Sequence, residues 1–179
     1  MPFLLSLFFY FSFLQDHANY SCKDGHISFT SNTSLELIRG HSKSLRGVFD
    51  ANTNEFSFAV PMNSFQGFNS ELQSEHFEEN YVESTKYPEA FFSGHLVENI
   101  NFSKIGDYKV RAKGRFKLHG VEKDFILQAI LHIASNAEIR IDSEFKLNLP
   151  DFNIKIPRLV HKKLAEEIQI KVNCILKKS

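Results

Sequence analysis

Eight histidines, two cysteines and 21 carboxylates are the side chains of this 179-residue chain that could carry chemistry. Their spacing argues against most of it. A zinc site needs several ligands at turn or helix spacing, yet no His-x-His, Glu-x-x-His pair or cysteine cluster occurs. No Gly-rich phosphate loop, Gly-x-Ser-x-Gly elbow or Cys-His motif is present either. Two histidines stand in marked local contexts, His76 on a helical pattern and His119 in a turn. Each could transfer a proton. Each reads more simply as a histidine that hydrogen-bonds its neighbours. The carboxylates fall on surface positions, and a pair of them acting at a barrel mouth stays open. No metal or other cofactor is expected.

The cysteines are Cys22, just before the first predicted strand, and Cys174, at the end of the last. In a closed antiparallel barrel those two strands are neighbours. An exported chain could then join the pair, provided the Cα atoms lie within about 7 Å. Two independent buried thiols is the other reading, and both stand.

The elements that would position these groups follow from periodicity. Tyr108, Val110, Ala112, Gly114, Phe116 and Leu118 alternate with Lys109, Arg111, Lys113, Arg115 and Lys117. A period of two means a strand with one wet face and one buried face. Further strands are predicted over Gly25–Thr30, Ser44–Phe49, Glu55–Val60, Phe91–Val97, Phe125–Ile133, Ile139–Leu147 and Glu167–Ile175. Ser34–Ile38 is of uncertain type. Asp50 to Asn54 is rich in Asx residues and reads as a hairpin turn. Ser70–Glu83 changes to helical spacing, with Phe77 and Tyr81 on its apolar face and Glu71, Glu75, Glu78, Glu79 and Glu83 around the other. Asn69 or Ser70 caps it, and Pro88 forbids continuation. Arg158–Ala165 has short helical character. The fold class is all-β: an extended antiparallel barrel of about eight strands, one amphipathic helix and a short C-terminal helix.

Alternation in each strand assigns the barrel interior to Phe56, Phe58, Val60, Phe92, Leu96, Tyr108, Val110, Phe116, Leu118, Phe125, Leu127, Ile141 and Phe145. Small residues on the same face, Gly94, Ala112 and Gly114, are expected to leave room there. That favours a container, although a close-packed β-sandwich core has the same apolar positions.

Phe3 to Leu14 is apolar, about the length of a signal-peptide core and short for a membrane span. Residues 1–18 read as a signal peptide cut near Ala18, leaving a mature domain over 19–179. No Lys or Arg precedes the apolar run, and Asp16 is a poor match before the cut. A buried N-terminal strand or a misassigned start is the competing reading. The mature chain shows no transmembrane span. Its 21 basic and 21 acidic residues cancel, which gives no electrostatic footprint for nucleic acid. A homodimer stays open.

Several segments together resemble the YceI-like family of bacterial polyisoprenoid-binding proteins. They are His76-Phe77, Lys86-Tyr87-Pro88, Phe92-Ser93-Gly94, Tyr108-Lys109-Val110, Gly114, and Leu118-His119-Gly120-Val121-Glu122-Lys123. The resemblance runs from about Gly25 to Val172 and is nearest to members from the Bacteroidetes. It implies a lipocalin-like barrel, located in the periplasm or outside the cell, that holds a long isoprenoid chain. It also implies no established catalytic residues. The leader departs from the family in lacking a positive start. The expected function is non-catalytic binding, storage or transport of an isoprenoid or similar amphiphilic lipid. Its contacts would be the interior residues above, with Phe77, Tyr81 and Gly114. An enzyme acting on an isoprenoid or quinone at the barrel mouth, through His119 or His76, is the alternative. A structural or adhesion domain with a filled core is a third.

Overall fold

The structure, a computed structural model, describes residues 19–135, 137–157 and 162–179. The expected signal peptide lies outside them. Eight strands follow one another: β1 Asn19–Asn32, β2 Leu37–Asp50, β3 Glu55–Pro61, β4 Glu89–Leu96, β5 Gly106–Leu118, β6 Val121–Ser135, β7 Glu138–Asn148 and β8 Glu167–Lys178. Each pairs antiparallel with the next, and β1 pairs with β8 to close the barrel. Closure removes the exposed edges that would otherwise template aggregation.

β5 shows how the sequence writes this. Its apolar set faces in and its five cations face water, so burial alternates along the strand. His119 and Gly120 then take φ of 50° and 74°. Two successive left-handed residues make the two-residue turn whose twist matches a hairpin. Gly120 takes positive φ without strain, and His119 adopts it as well.

The expected helix is shorter and less regular than its pattern. Helix α1 spans Glu71–His76, and one wider turn continues over Phe77–Tyr81. The Gln73 N–H donates to Ser70 Oγ at 3.2 Å, the cap that the sequence offered. Glu83, at φ 46°, ends the segment in the left-handed region, five residues before Pro88. Ser34–Ile38 divides into a turn, closed by the Thr33 N–H on the Glu36 carbonyl at 3.0 Å, and the start of β2. Of the expected C-terminal helix, 158–161 lie outside the described residues. Lys162–Leu164 form a turn and a bend, not a helix. Thr33 Oγ1 donates to the Lys162 carbonyl at 2.8 Å and the Ala165 N–H donates to Ser31 Oγ at 2.8 Å, so side chains of β1 and its turn satisfy backbone groups that a helix would have paired.

Up-and-down topology sends alternate connections to opposite ends. One end gathers the β3–β4 connection (62–88, with α1) and the β7–β8 connection, which includes a 3₁₀ turn over Leu149–Phe152. At the other end Phe102, from the β4–β5 loop, packs on Phe49 with ring centroids 5.1 Å apart.

Candidate functional site

The barrel interior is not solid. It encloses a cavity of about 180 Å³ whose wall is apolar. Strand alternation brings Phe56, Phe58 and Val60 of β3 to this wall, with Phe92 and Leu96 of β4, Phe116 and Leu118 of β5, Leu127 of β6, and Ile141 and Phe145 of β7. Phe77 reaches it from the turn after α1.

Five of the expected residues are elsewhere. Val110 is buried in the core but off the cavity wall. Phe125 packs between Phe116 and Phe145, at 5.5 and 6.1 Å between centroids. Tyr108 donates its hydroxyl to the Lys104 carbonyl at 3.1 Å. Tyr81 is half-buried against the core, and burial raises its phenol above the usual range. Gly114 needs a correction. It was expected to leave room; instead it lets two backbones approach. Gly94 and Gly114 are partners across β4 and β5, and a Cβ on Gly114 would lie 2.0 Å from the Ser93 carbonyl oxygen. Ala112, by contrast, lines the cavity.

Other wall residues escaped the reading of the sequence. Phe29 of β1 and Leu45 of β2 line the cavity, but β1–β2 pairing shifts register between Cys22 and Gly25 and again between Gly25 and Ile27. Bulges of this kind break the period of two. Ile168, Ile170 and Val172 share one face of β8 and carried a readable signal. Met62, Phe65, Val82, Leu149 and Ile154 arrive from the connections, where no period exists to find them.

Aromatic rings organise the wall in two groups. One is a belt across five strands: Phe56 to Phe92 at 4.9 Å, Phe92 to Phe116 at 6.1 Å, and on through Phe125 to Phe145. The other is a cluster under the α1 segment. Phe77 lies 5.4 Å from Phe29, 5.5 Å from Phe65 and 5.1 Å from Phe68. Such pairs add about 0.5–1.5 kcal/mol each beyond area burial.

None of the described histidines lines this space. His76 is exposed. His119 has a side chain 12% exposed, with Nδ1 3.0 Å from the Phe152 carbonyl oxygen and Nε2 2.9 Å from the Glu83 carboxylate. Both nitrogens are engaged, so the ring ties the two connections at this end together and has no nitrogen free for cargo. Among the described residues no group of three or more His, Cys, Asp or Glu is placed to hold a metal ion. Cys22 and Cys174 are both buried as free thiols.

The family model of the YceI-like domain matches residues 17–176. The chain belongs to the YceI-like family. Among solved structures, this YceI-like chain is similar to a polyisoprenoid-binding domain from Saccharophagus degradans implicated in plant cell wall breakdown. The TM-score is 0.77 at 14% identity, over 91% of this chain and 99% of that one. It is also similar to BcnA from Burkholderia cenocepacia, with TM-score 0.70 and 15% identity over 84% and 95% of the two chains. The YceI protein of Campylobacter jejuni gives 0.60 and 16% over 78% and 84%. At these identities the likeness is one of fold. No curated protein matches the chain. No helix among the described residues is long and apolar enough to cross a membrane.

Proposed function

We propose that this YceI-like barrel binds the hydrocarbon chain of an isoprenoid or similar amphiphilic lipid, for storage or transport and without catalysis. The observation that carries the reading is the apolar wall of the cavity, with Phe56, Phe92 and Phe116 in its aromatic belt. Burying each CH₂-sized unit contributes about 0.8 kcal/mol, so a hydrocarbon needs no charged anchor inside. A polar head group finds no partner on such a wall and belongs at the mouth. The binding named for the Saccharophagus degradans relative supports the same ligand class.

Size refines the proposal. An apolar cavity near 150 Å³ takes up benzene. The 180 Å³ here therefore suits one short segment of a chain. A longer isoprenoid requires the wall to give, and the Phe77 cluster is where a connection rather than a strand forms that wall. Export fits this role: residues 1–18 would direct the chain to the periplasm or beyond, where membrane lipids are the cargo.

Native mass spectrometry of protein purified from its source cell tests the reading, with the mass of whatever extracts into organic solvent. The expected result is a co-purified lipid with a long hydrocarbon chain. Protein at its bare mass that also fails to take up added polyprenol sinks the proposal. Turnover of an added quinone, lost on substituting His119, would transfer the reading to the enzyme class.

A further inference from the structure

We propose that Cys22 and Cys174, free thiols in this structure, form a disulfide in the oxidised protein that locks the seam where the barrel closes. This holds whatever occupies the cavity. The seam is the pairing of β1 with β8, and it is interrupted. Tyr20 pairs with Lys178 and Ser21 with Lys177; pairing then resumes only at His26 with Asn173. Four residues of β1, Cys22 to Gly25, oppose three of β8, Cys174 to Leu176, without ladder partners across the seam. That is the geometry of a bulge. On their other sides the two cysteines keep ladder partners, Cys22 with Gly47 of β2 and Cys174 with Ile141 of β7. The two cysteines thus sit on either side of the gap, one beside each end of the surviving ladder.

Their side chains meet across it. Cys22 is 4% and Cys174 1% exposed, both turned inward. The Cys22 thiol donates to the Leu45 carbonyl oxygen at 3.8 Å, and Cys174 is the group that most strongly perturbs it. Gly25 makes space for this, since a Cβ there would lie 3.1 Å from the Cys22 sulfur. The hydrogen bond from Cys174 pulls the Cys22 thiol down to about 6, while donation to Cys22 and burial push Cys174 up.

The reaction is thiol–disulfide exchange with a protein or small-molecule disulfide, the oxidant. The Cys22 thiolate attacks one sulfur of that disulfide and expels the other as a thiolate. Cys174, losing its proton to solvent, then attacks the Cys22 sulfur and displaces the second thiolate. Two thiols are oxidised and one disulfide is reduced to two thiols. Both sulfurs are covered in the closed barrel, so the exchange accompanies folding or a parting of the seam at the gap.

The test uses the full chain, both as isolated from its source cell and refolded in reduced and oxidised glutathione. Free thiols are alkylated before non-reducing peptide mapping. The expected result is a linked Cys22–Cys174 peptide, a protein two hydrogens lighter, and a melting temperature that falls on reduction. The double variant Cys22→Ser, Cys174→Ser should melt without responding to reductant. Recovery of both cysteines alkylated in the source-cell and the refolded protein overturns the proposal. A bridge that forms but leaves the melting temperature unchanged overturns its locking role.

Discussion

Gly94 and Gly114 face each other across β4 and β5 so closely that a Cβ on Gly94 would lie 2.5 Å from the Gly114 Cα. The obstacle is backbone, which cannot swing aside as a side chain would. Gly114→Ala should therefore destabilise the barrel by about 1–3 kcal/mol, the range for overpacking, and Gly114→Phe should prevent folding. Urea unfolding of the Ala variant checks the first. A Gly114→Phe variant that folded and merely lost ligand would restore the role of space-maker.

Ala112 is the position where added bulk should enter open space. It lies on the cavity wall, two residues from Gly114 on the same face of β5. Ala112→Phe should weaken uptake of a polyprenol about tenfold or more, equivalent to at least about 1.4 kcal/mol, with a smaller change in stability. Titration with an apolar fluorophore, displaced by polyprenol, measures the first, and a thermal melt the second. Unchanged affinity would place the cargo outside this cavity.

The acid limb of the stability curve should depend on Glu98. The Arg111 backbone N–H donates to one carboxylate oxygen at 2.6 Å and its guanidinium to the other at 2.8 Å. These bonds hold the Glu98 carboxyl below the usual range. A folded-state value below the unfolded one means stability that is present above the ordinary carboxylate range. That stability is lost as pH falls through the depressed value. Glu98→Gln should flatten this limb between about pH 4 and the depressed folded-state value, and lower neutral stability by the same amount, a small one because the pair is exposed. Urea midpoints across that range would show it. An unaltered acid limb would mean the contact does not persist in solution.

Legibility in the sequence followed strand regularity. The β3–β7 wall was readable because Phe56, Phe58 and Val60, or Phe116 and Leu118, repeat every second residue without interruption. The same alternation also named Phe125 and Val110, which pack with the core without lining the cavity; period gives a face, not a place along the barrel. β1 was readable only in part, since its bulge between Ser21 and His26 shifts the count. The part of the wall supplied by the connections was illegible. Phe65, Val82, Leu149 and Ile154 reach the cavity from connections whose path is set by tertiary packing. Gly114 was read by its size, when its significance lay in the backbone of its partner.

His119 gives the last expectation. Its ring joins Glu83, from the connection that carries α1, to the Phe152 carbonyl, from the connection before β8. Tyr87 packs on the ring edge-on at 4.6 Å, and both His119 and Glu83 hold left-handed φ. Strain of that kind, about 1–3 kcal/mol per residue, persists only where the surroundings enforce it. Val82 and Phe77 on one side and Leu149 and Ile154 on the other form the cavity wall at this end. His119→Ala should leave the Phe152 carbonyl without this partner and cost about 1–3 kcal/mol. If these connections must part to admit a long chain, the variant should also release a bound apolar fluorophore several-fold faster than the parent. Stopped-flow transfer of the fluorophore to empty vesicles measures that rate. A lower melting temperature with an unchanged release rate would leave His119 as a structural tie and move the route of loading to the opposite end, where Phe102 covers Phe49.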